Sequence, residues 1–178
     1  MKIRWCRFNI YLALGLALAA VCGCKTSGEP NPKKLLSTLR LHLEVSRDGT
    51  KSSEPVPIFR EKPVMVNAEL KPFLTEGNVA EAKVIDVVGG YALLIRFDHE
   101  GTTLLEECTI SNRGRRIAVF SQFGEKIKDN RWLAAPVIIR RVTDGVFTFT
   151  PDASREECEE IAAGLNNVSK KVHTWSDE

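Results

Sequence analysis

Histidine, cysteine and serine are the side chains that most often bind metals or act as nucleophiles, and their spacing in this chain of 178 residues forms no such site. The three histidines are His42, His99 and His173, and no two of them lie three or four residues apart. The sequence contains no Cys-x-x-Cys pair, no Gly-x-Ser-x-Gly turn and no glycine-rich phosphate loop. It therefore predicts a protein that is not an enzyme and that carries no metal or cofactor.

Six glutamates cluster in two segments with a helical pattern, and paired carboxylates can act as general acid and base. The alternative is that they form two solvated helix faces, favoured at the second helix by the N-terminal dipole. We adopt this second interpretation because runs of charge on a helix are usually solvated faces and the sequence offers no nucleophile–base pair. The six are Glu106, Glu107, Glu156, Glu157, Glu159 and Glu160.

Cys108 and Cys158 each fall on the apolar face of a predicted helix. A disulfide between them is one expectation, because an oxidising compartment allows such bonds. Two buried free thiols that replace small apolar residues are the other. The sequence leaves both alternatives open.

The N-terminus combines three basic residues with an apolar run at residues 10–21, which is shorter than the roughly 20 residues that span a bilayer. The run ends in Val21-Cys22-Gly23-Cys24, which resembles the lipobox of bacterial lipoproteins. This resemblance implies that Cys24 is acylated and becomes the mature N-terminus, so that the chain binds the membrane through lipid. Lys25, in the position where inner-membrane retention uses Asp, favours the outer membrane. An ordinary secretory peptide or an uncleaved anchor helix is the alternative.

The charge balance changes when this segment is removed. The whole chain has 25 basic and 23 acidic residues, and residues 1–23 contain three of the basic ones and no acid. The remainder is close to neutral, which excludes a dedicated nucleic-acid-binding protein.

A second basic segment surrounds Trp132; one interpretation is that its arginines meet anionic lipid headgroups or an acidic partner and that Trp132 anchors a partner. The other is that the arginines are strand-edge charges and that Trp132 packs in the core, which we favour for Trp132 because aromatic residues are usually well buried. The candidate contact residues are Trp132, Arg131 and Arg115; the other arginines of the segment are Arg113, Arg116, Arg140 and Arg141.

These residues require strands and helices to position them. Apolar residues alternate over positions 39–45, and two β-rich runs at 82–88 and 91–97 are joined by Gly89-Gly90, which predicts a hairpin. Further strands are predicted at residues 64–68, 116–123, 136–142 and 145–150, with a loop at 51–57 and a short helical turn within 75–80.

Two helices complete the prediction. Asp98 can cap a helix over residues 99–112, and Gly114 can end it. Ser154-Arg-Glu-Glu157 is a capping box that opens a second helix, with Cys158, Ile161, Ala162 and Leu165 on one face. The predicted fold is α+β, a mainly antiparallel sheet with two amphipathic helices on one face and a ferredoxin-like tendency.

The predicted organisation has four parts. They are a lipoprotein signal peptide (1–23), an acylated cysteine with a polar linker (24–34), one α+β domain (35–168) and a polar tail (169–178).

Several segments between residues 113 and 158 occur in a specific order: Arg113-Gly-Arg-Arg-Ile-Ala-Val-Phe120, Ala135-Pro-Val-Ile138, Gly145-Val-Phe-Thr-Phe-Thr150 and Ser154-Arg-Glu-Glu-Cys158. This succession resembles the head subdomain of the large periplasmic domain of SecD, a membrane component of protein export. The resemblance implies a periplasm-facing binding module that contacts unfolded exported polypeptide or components of the translocase. It does not imply a motor, because no membrane-spanning segment follows the signal. A structural envelope lipoprotein with no export role is the alternative.

Overall fold

The computed structural model describes residues 32–47, 51–124, 127 and 129–175, with side chains up to residue 171. Within this part of the chain there are nine strands and two α-helices. The strands are β1 (Thr38–Leu43), β2 (Ser53–Ile58), β3 (Val64–Glu69), β4 (Leu74–Thr75), β5 (Val79–Val87), β6 (Gly90–Phe97), β7 (Ile117–Phe123), β8 (Asp129–Ala134) and β9 (Val146–Phe149). The helices are α1 (His99–Ser111) and α2 (Arg155–Trp175), and short 3-10 turns occur at Pro32–Lys34 and Glu76–Asn78.

The strands form three sheets, with the orders β4-β1-β7-β8, β2-β3 and β5-β6-β9. Each of the strand pairings in the described residues is antiparallel. The predicted α+β class with antiparallel pairing is therefore confirmed, although the strands are divided among three sheets where we expected one.

The predicted hairpin of β5 and β6 is confirmed. Val87 pairs with Gly90, and Gly89 (φ +90°) and Gly90 (φ +154°) adopt backbone conformations that other residues rarely reach. β9 then adds to β6 through the pairs from Arg96 with Val146 to Leu93 with Phe149, which leaves β9 at the edge of the sheet.

Both helices begin where the sequence predicts. The Asp98 carboxylate accepts a hydrogen bond from the Gly101 N–H at 2.7 Å and caps α1. At α2 the capping box is formed in both directions: Glu157 N–H donates to Ser154 Oγ (3.2 Å), and Ser154 N–H donates to Glu157 Oε2 (2.7 Å). α2 continues to Trp175, beyond the domain boundary that we predicted at residue 168.

The four-stranded sheet has a covered surface on both sides. On one side its apolar residues join α2 and the three-stranded sheet in the main core; Leu41, Val119 and Leu165 are fully buried there. On the other side the β2–β3 hairpin forms a second cluster around Ile58, Val66 and Ala118. Burial on both faces explains why β7 is a nearly continuous apolar run.

The β2–β3 hairpin corrects two expectations. Residues 51–57 are not a loop, because Ser53–Ile58 pairs with Val64–Glu69. Pro55 and Pro57 misled the prediction, since proline is usually absent from the interior of a sheet. The hairpin also covers His42, which the alternation over positions 39–45 places among the polar residues of its strand. His42 is only 7% exposed, its Nδ1 lies 2.7 Å from the Glu69 carbonyl oxygen, and burial lowers its pKa.

Two further expectations are wrong near the second basic segment. Trp132 falls between the predicted strands 116–123 and 136–142, yet it lies in β8, where it pairs with Phe120 of β7. Residues 136–142 do not form a strand; Val137 makes a single bridge to Arg116. Pro136 has no N–H to donate to a ladder, and the pairing that β8 makes with β7 continues along this edge only to the bridge of Val137 with Arg116.

No helix in the described ranges is long and apolar enough to cross a membrane.

Candidate functional site

The segment at residues 135–142 is irregular, yet its main chain is held at several points. Ile138 N–H donates to the Arg115 carbonyl (2.8 Å), and the Ile138 carbonyl accepts from Gly114 N–H (2.9 Å). Ile117 N–H donates to the Pro136 carbonyl at 3.0 Å. The segment is thereby fixed against the chain between α1 and β7.

Side chains strengthen this attachment. Arg113 Nη2 donates to the Ile139 carbonyl, and Arg116 Nη1 donates to the Ala135 carbonyl, each at 3.1 Å. Val142 N–H donates to Thr109 Oγ1 of α1 at 3.1 Å. Arg141 forms an ion pair with Glu106. Three arginines of the basic segment therefore have structural roles in holding residues 135–142.

The fixed segment presents apolar side chains to solvent. Ile139 is 74% exposed and Val137 is 42% exposed, while Ile138 between them is buried at 5%. Ile110, near the end of α1, is 49% exposed. A single exposed apolar residue is ordinary, but neighbouring ones on a held backbone are typical of a binding surface.

A groove of about 340 Å³ separates this segment from β9. Its apolar residues include Ile117, Ile138 and Phe147, and Arg140 and Asp144 add one charge of each sign. The complete lining consists of Thr109, Ile117, Pro136, Val137, Ile138, Ile139, Arg140, Val142, Asp144, Val146, Phe147 and Thr148.

The edge of β9 contributes main-chain groups to the groove. Phe97 N–H donates to the Gly145 carbonyl at 2.9 Å, so Gly145 and every second residue after it direct their main-chain groups toward β6. Val146 and Thr148 therefore direct theirs toward the open edge. Asp144 Oδ1 accepts from Val146 N–H at 3.1 Å, which protects part of this edge. An extended chain can pair with the remainder.

The structure places Arg131 away from this groove. Its guanidinium forms two hydrogen bonds with the Glu157 carboxylate, at 2.9 and 3.0 Å, and a third with the Asp152 carbonyl at 3.1 Å. This bidentate contact lowers the pKa of Glu157 and raises that of Arg131. Arg131 thus joins β8 to the start of α2.

Trp132 is half-buried against the second cluster, with its ring 5.2 Å from His42 and 5.1 Å from Phe120. Its accessible part lines a second cleft of about 360 Å³ beneath the β2–β3 hairpin. In that cleft Arg60 pairs with Asp152 at 3.2 Å. Phe59, which is 42% exposed, adopts φ +68°, an unusual conformation for an aromatic residue.

Arg115 is exposed and lies beside the groove through its main-chain bond to Ile138. The three predicted contact residues are therefore not brought together: Arg115 belongs to the groove, and Arg131 and Trp132 to the second cleft. A partner contact at any of them stays a prediction. The sequence signal for the groove was Pro136-Val-Ile-Ile139, an apolar run after a proline that we interpreted as a strand.

Cys108 and Cys158 are free thiols in the structure. Burial raises the pKa of Cys108 to about 11 and that of Cys158 to about 12. The paired state in an oxidising compartment stays a prediction. Cys24, the predicted acylation site, lies outside the described residues. No group of three or more metal-ligating side chains occurs in the part of the chain that the structure describes.

Comparisons with known proteins agree with this architecture. The chain is 31% identical over 136 residues to the protein translocase subunit SecDF of Thermus thermophilus, which corresponds to 70% of this chain and 18% of that protein. It therefore spans less than a fifth of this relative's length. The solved structure described as "Structure and function of a membrane component SecDF that enhances protein export" has a TM-score of 0.54 at 22% identity, covers 75% of this chain and 64% of its own, and shows the same fold.

The family model described as "SecDF, P1 head subdomain" matches residues 52–169. This range contains the β2–β3 hairpin, both helices apart from the end of α2, and the complete groove. The chain belongs to the SecDF P1 head subdomain family.

Proposed function

We propose that this chain is a lipid-anchored envelope protein whose head binds extended segments of exported polypeptide in the groove beside β9. The relative at 31% identity is a subunit of the protein translocase, which makes an export component a suitable second partner. The proposed activity is binding and not catalysis.

The observation that carries this proposal is the exposure of Ile139 and Val137 on a held backbone next to an open strand edge. An unfolded chain supplies partners for both parts of this surface: its main chain can hydrogen-bond to the strand edge, and its alternating apolar side chains can pack against the exposed apolar residues. Main-chain pairing along Thr148 does not depend on the ligand's sequence. The apolar groove adds affinity for chains that have not yet buried their hydrophobic residues.

The lipid tether is proposed from the lipobox-like Val21-Cys22-Gly23-Cys24. Acylation of Cys24 would hold the head on the periplasmic side of the membrane, and Lys25 supports the outer membrane. Under this proposal the polar segment that follows Cys24 is a spacer between lipid and head.

Site-specific crosslinking tests the groove. A photo-reactive amino acid at Ile139 should form adducts with newly exported chains in vivo. The matched control is Met65, which is 58% exposed on the β2–β3 hairpin and is not part of the groove lining. Equal adducts at both positions, or none at Ile139, would refute the groove as the binding site.

A substitution gives the energetic test. Complete burial of an isoleucine contributes about 1.5–3 kcal/mol, and Ile139 has 74% of its surface to lose. Ile139→Ser should therefore weaken binding of an unfolded apolar peptide about 5- to 30-fold. The melting temperature of this variant should remain unchanged because the side chain has little contact to lose.

A deletion strain separates the proposed function from its alternative, a structural envelope lipoprotein. Normal secretion with altered envelope integrity in that strain would favour the structural role.

A further inference from the structure

Hydrogen bonds attach the β2–β3 hairpin to the rest of the fold near both of its ends. At the end close to β1, Val45 N–H donates to the Asn67 carbonyl at 2.9 Å, and Asn67 Nδ2 donates to the Val45 carbonyl at 3.0 Å. At the other end, Arg60 N–H donates to Asp152 Oδ2 at 2.9 Å, and the two side chains form an ion pair. Between these ends the hairpin is held by the apolar packing of the second cluster.

His42 lies inside this contact. It is 7% exposed, its ring lies 5.2 Å from the ring of Trp132, and its Nδ1 is 2.7 Å from the Glu69 carbonyl oxygen at the end of β3. Because a carbonyl oxygen only accepts hydrogen bonds, Nδ1 carries the hydrogen of the neutral ring. A further proton must therefore bind Nε2, which has no hydrogen-bond partner among the residues that the structure describes.

Charged groups surround His42 on the neighbouring strands, while β8 contributes the uncharged ring of Trp132. The charged residues are Arg40, Glu44, Glu54, Glu69 and Arg116. Burial is the largest influence and lowers the pKa of His42 below its ordinary value of 6.5, and Arg40 lowers it further. The hydrogen bond to the Glu69 carbonyl and the carboxylates of Glu54 and Glu69 act in the opposite direction without reversing this. Glu44 Oε2 accepts from Arg116 N–H at 2.9 Å.

We propose that His42 is a pH-sensitive latch, and that its protonation in mildly acidic solution releases the β2–β3 hairpin from the sheet. A proton on Nε2 places a cation in a buried contact that provides it with no acceptor, whereas water solvates the same ring when the hairpin is open. The closed hairpin therefore binds the proton less tightly than the open one. Acid shifts the population toward the open state by this difference in proton affinity.

The pH range of the release follows from the two protonation states. Above the ordinary pKa of 6.5 the ring is neutral in both the open and the closed hairpin, so the closed form keeps its full stability. As the pH falls below 6.5, the open form takes up the proton first, and the closed form loses stability. The loss stops at the lower pH at which the closed form is also protonated.

Opening would expose a second apolar surface on the head. The residues packed between hairpin and sheet are Val56, Ile58, Val66, Ala68, Ala118 and Ala135, with Trp132 against them. None of them lines the groove beside β9. In acid the head would therefore offer unfolded chains an apolar surface in addition to that groove.

Hydrogen exchange of the full chain tests the latch. Protection factors, which remove the intrinsic pH dependence of exchange, are compared at about pH 7.5 and about pH 5. We expect protection of Ser53–Ile58 and Val64–Glu69 to fall by at least about threefold and at most about 30-fold, the limit that one proton with an ordinary pKa of 6.5 sets at the lower pH. The β5–β6 hairpin, which contains no histidine, should not change. A smaller fall in the β2–β3 hairpin would overturn the proposal.

Three variants identify the group that titrates. His42→Asn keeps an N–H donor near the position of Nδ1 but does not titrate, so its protection should be equal at both pH values. Arg60→Gln removes the ion pair with Asp152, so it should lower protection at both pH values and leave their ratio unchanged. His99→Gln, at an exposed histidine, should behave as the original protein does. If His42→Asn retains the complete pH dependence, another group is responsible and the latch is wrong.

A direct titration decides the case in which His42→Asn is already open at neutral pH. The ring carbon shifts of His42 in the original protein, followed by NMR, report its protonation while exchange reports the opening. We expect both to change over the same pH interval below 6.5. A hairpin that opens while the ring is neutral, or stays closed once the ring is protonated, would refute the coupling.

Discussion

Gly164 of α2 lies where the N-terminal segment crosses the helix, and its replacement by alanine tests this contact. A Cβ atom at position 164 would lie 2.2 Å from Ser37 Oγ, 2.7 Å from Ser37 N and 2.8 Å from the Leu36 carbonyl carbon. The hydroxyl could rotate away, but the two main-chain atoms could move only if residues 36–37 separated from the helix. That movement would strain the bonds from Asn167 that hold the turn before it.

Two opposing effects determine the magnitude. In an exposed helix, Gly→Ala stabilises by about 1 kcal/mol. Overpacking a close contact costs about 1–3 kcal/mol, and contact with main-chain atoms places this site at the upper end. We therefore expect Gly164→Ala to lower the free energy of unfolding by about 2 kcal/mol.

Urea denaturation followed by circular dichroism measures the change. Gly77→Ala is the matched control, because a Cβ there would meet only Thr75 Oγ1 at 3.5 Å. Ser37→Ala should be neutral or stabilising, since Ser37 Oγ is buried with no hydrogen-bond partner in the described residues. The double variant should recover only part of the loss because the main-chain atoms remain. A Gly164→Ala protein as stable as the original would refute the reasoning.

Three further predictions concern the junction of β8 with α2 and the two thiols. Arg131→Met should lower the free energy of unfolding by about 1.5–3 kcal/mol in urea titrations, because it leaves the Glu157 carboxylate without its two charged hydrogen bonds. The control Arg60→Met changes a side chain that is 58% exposed and should lower it by less than about 1 kcal/mol. Equal losses in the two variants would contradict this prediction. Arg131 lowers the pKa of Glu157, so the contribution of this carboxylate to stability is complete above the ordinary carboxyl pKa of 4.5 and is lost as the pH falls through its lower pKa in the folded protein. Glu157→Gln should therefore flatten the dependence of stability on pH below 4.5, and an unchanged dependence would count against the ion pair. Cys108 and Cys158, with pKa values raised to about 11 and 12, should react slowly with iodoacetamide at pH 8 in the folded protein and rapidly in urea. If both instead stay unmodified in urea until a reductant is added, they form a disulfide.

The elements that the sequence predicted correctly depend on neighbouring residues. The Asp98 cap, the Ser154–Glu157 capping box and the Gly89-Gly90 hairpin each involve groups within four positions of one another. Such contacts form wherever the chain has the right local residues, so their patterns are visible in a single sequence.

The elements that were missed depend on distant partners. β2 contains two prolines and becomes a strand because β3 pairs with it and the four-stranded sheet receives its buried face. Residues 136–142 have a strand-like composition, but only Val137 pairs, through its bridge to Arg116. Local propensity cannot decide how far a segment stays paired with a distant partner.

The same division applies to the candidate site. The sequence by itself determined the helix starts, the β5–β6 hairpin and the order of motifs that resembles the SecD head, because these are local or linear properties of the chain. Only the tertiary structure decided that Arg131 binds Glu157, that Trp132 packs on His42, and that Ile139 remains exposed beside β9. Whether an apolar or charged side chain faces solvent depends on what the rest of the chain places over it, and that covering is made by residues far away in sequence.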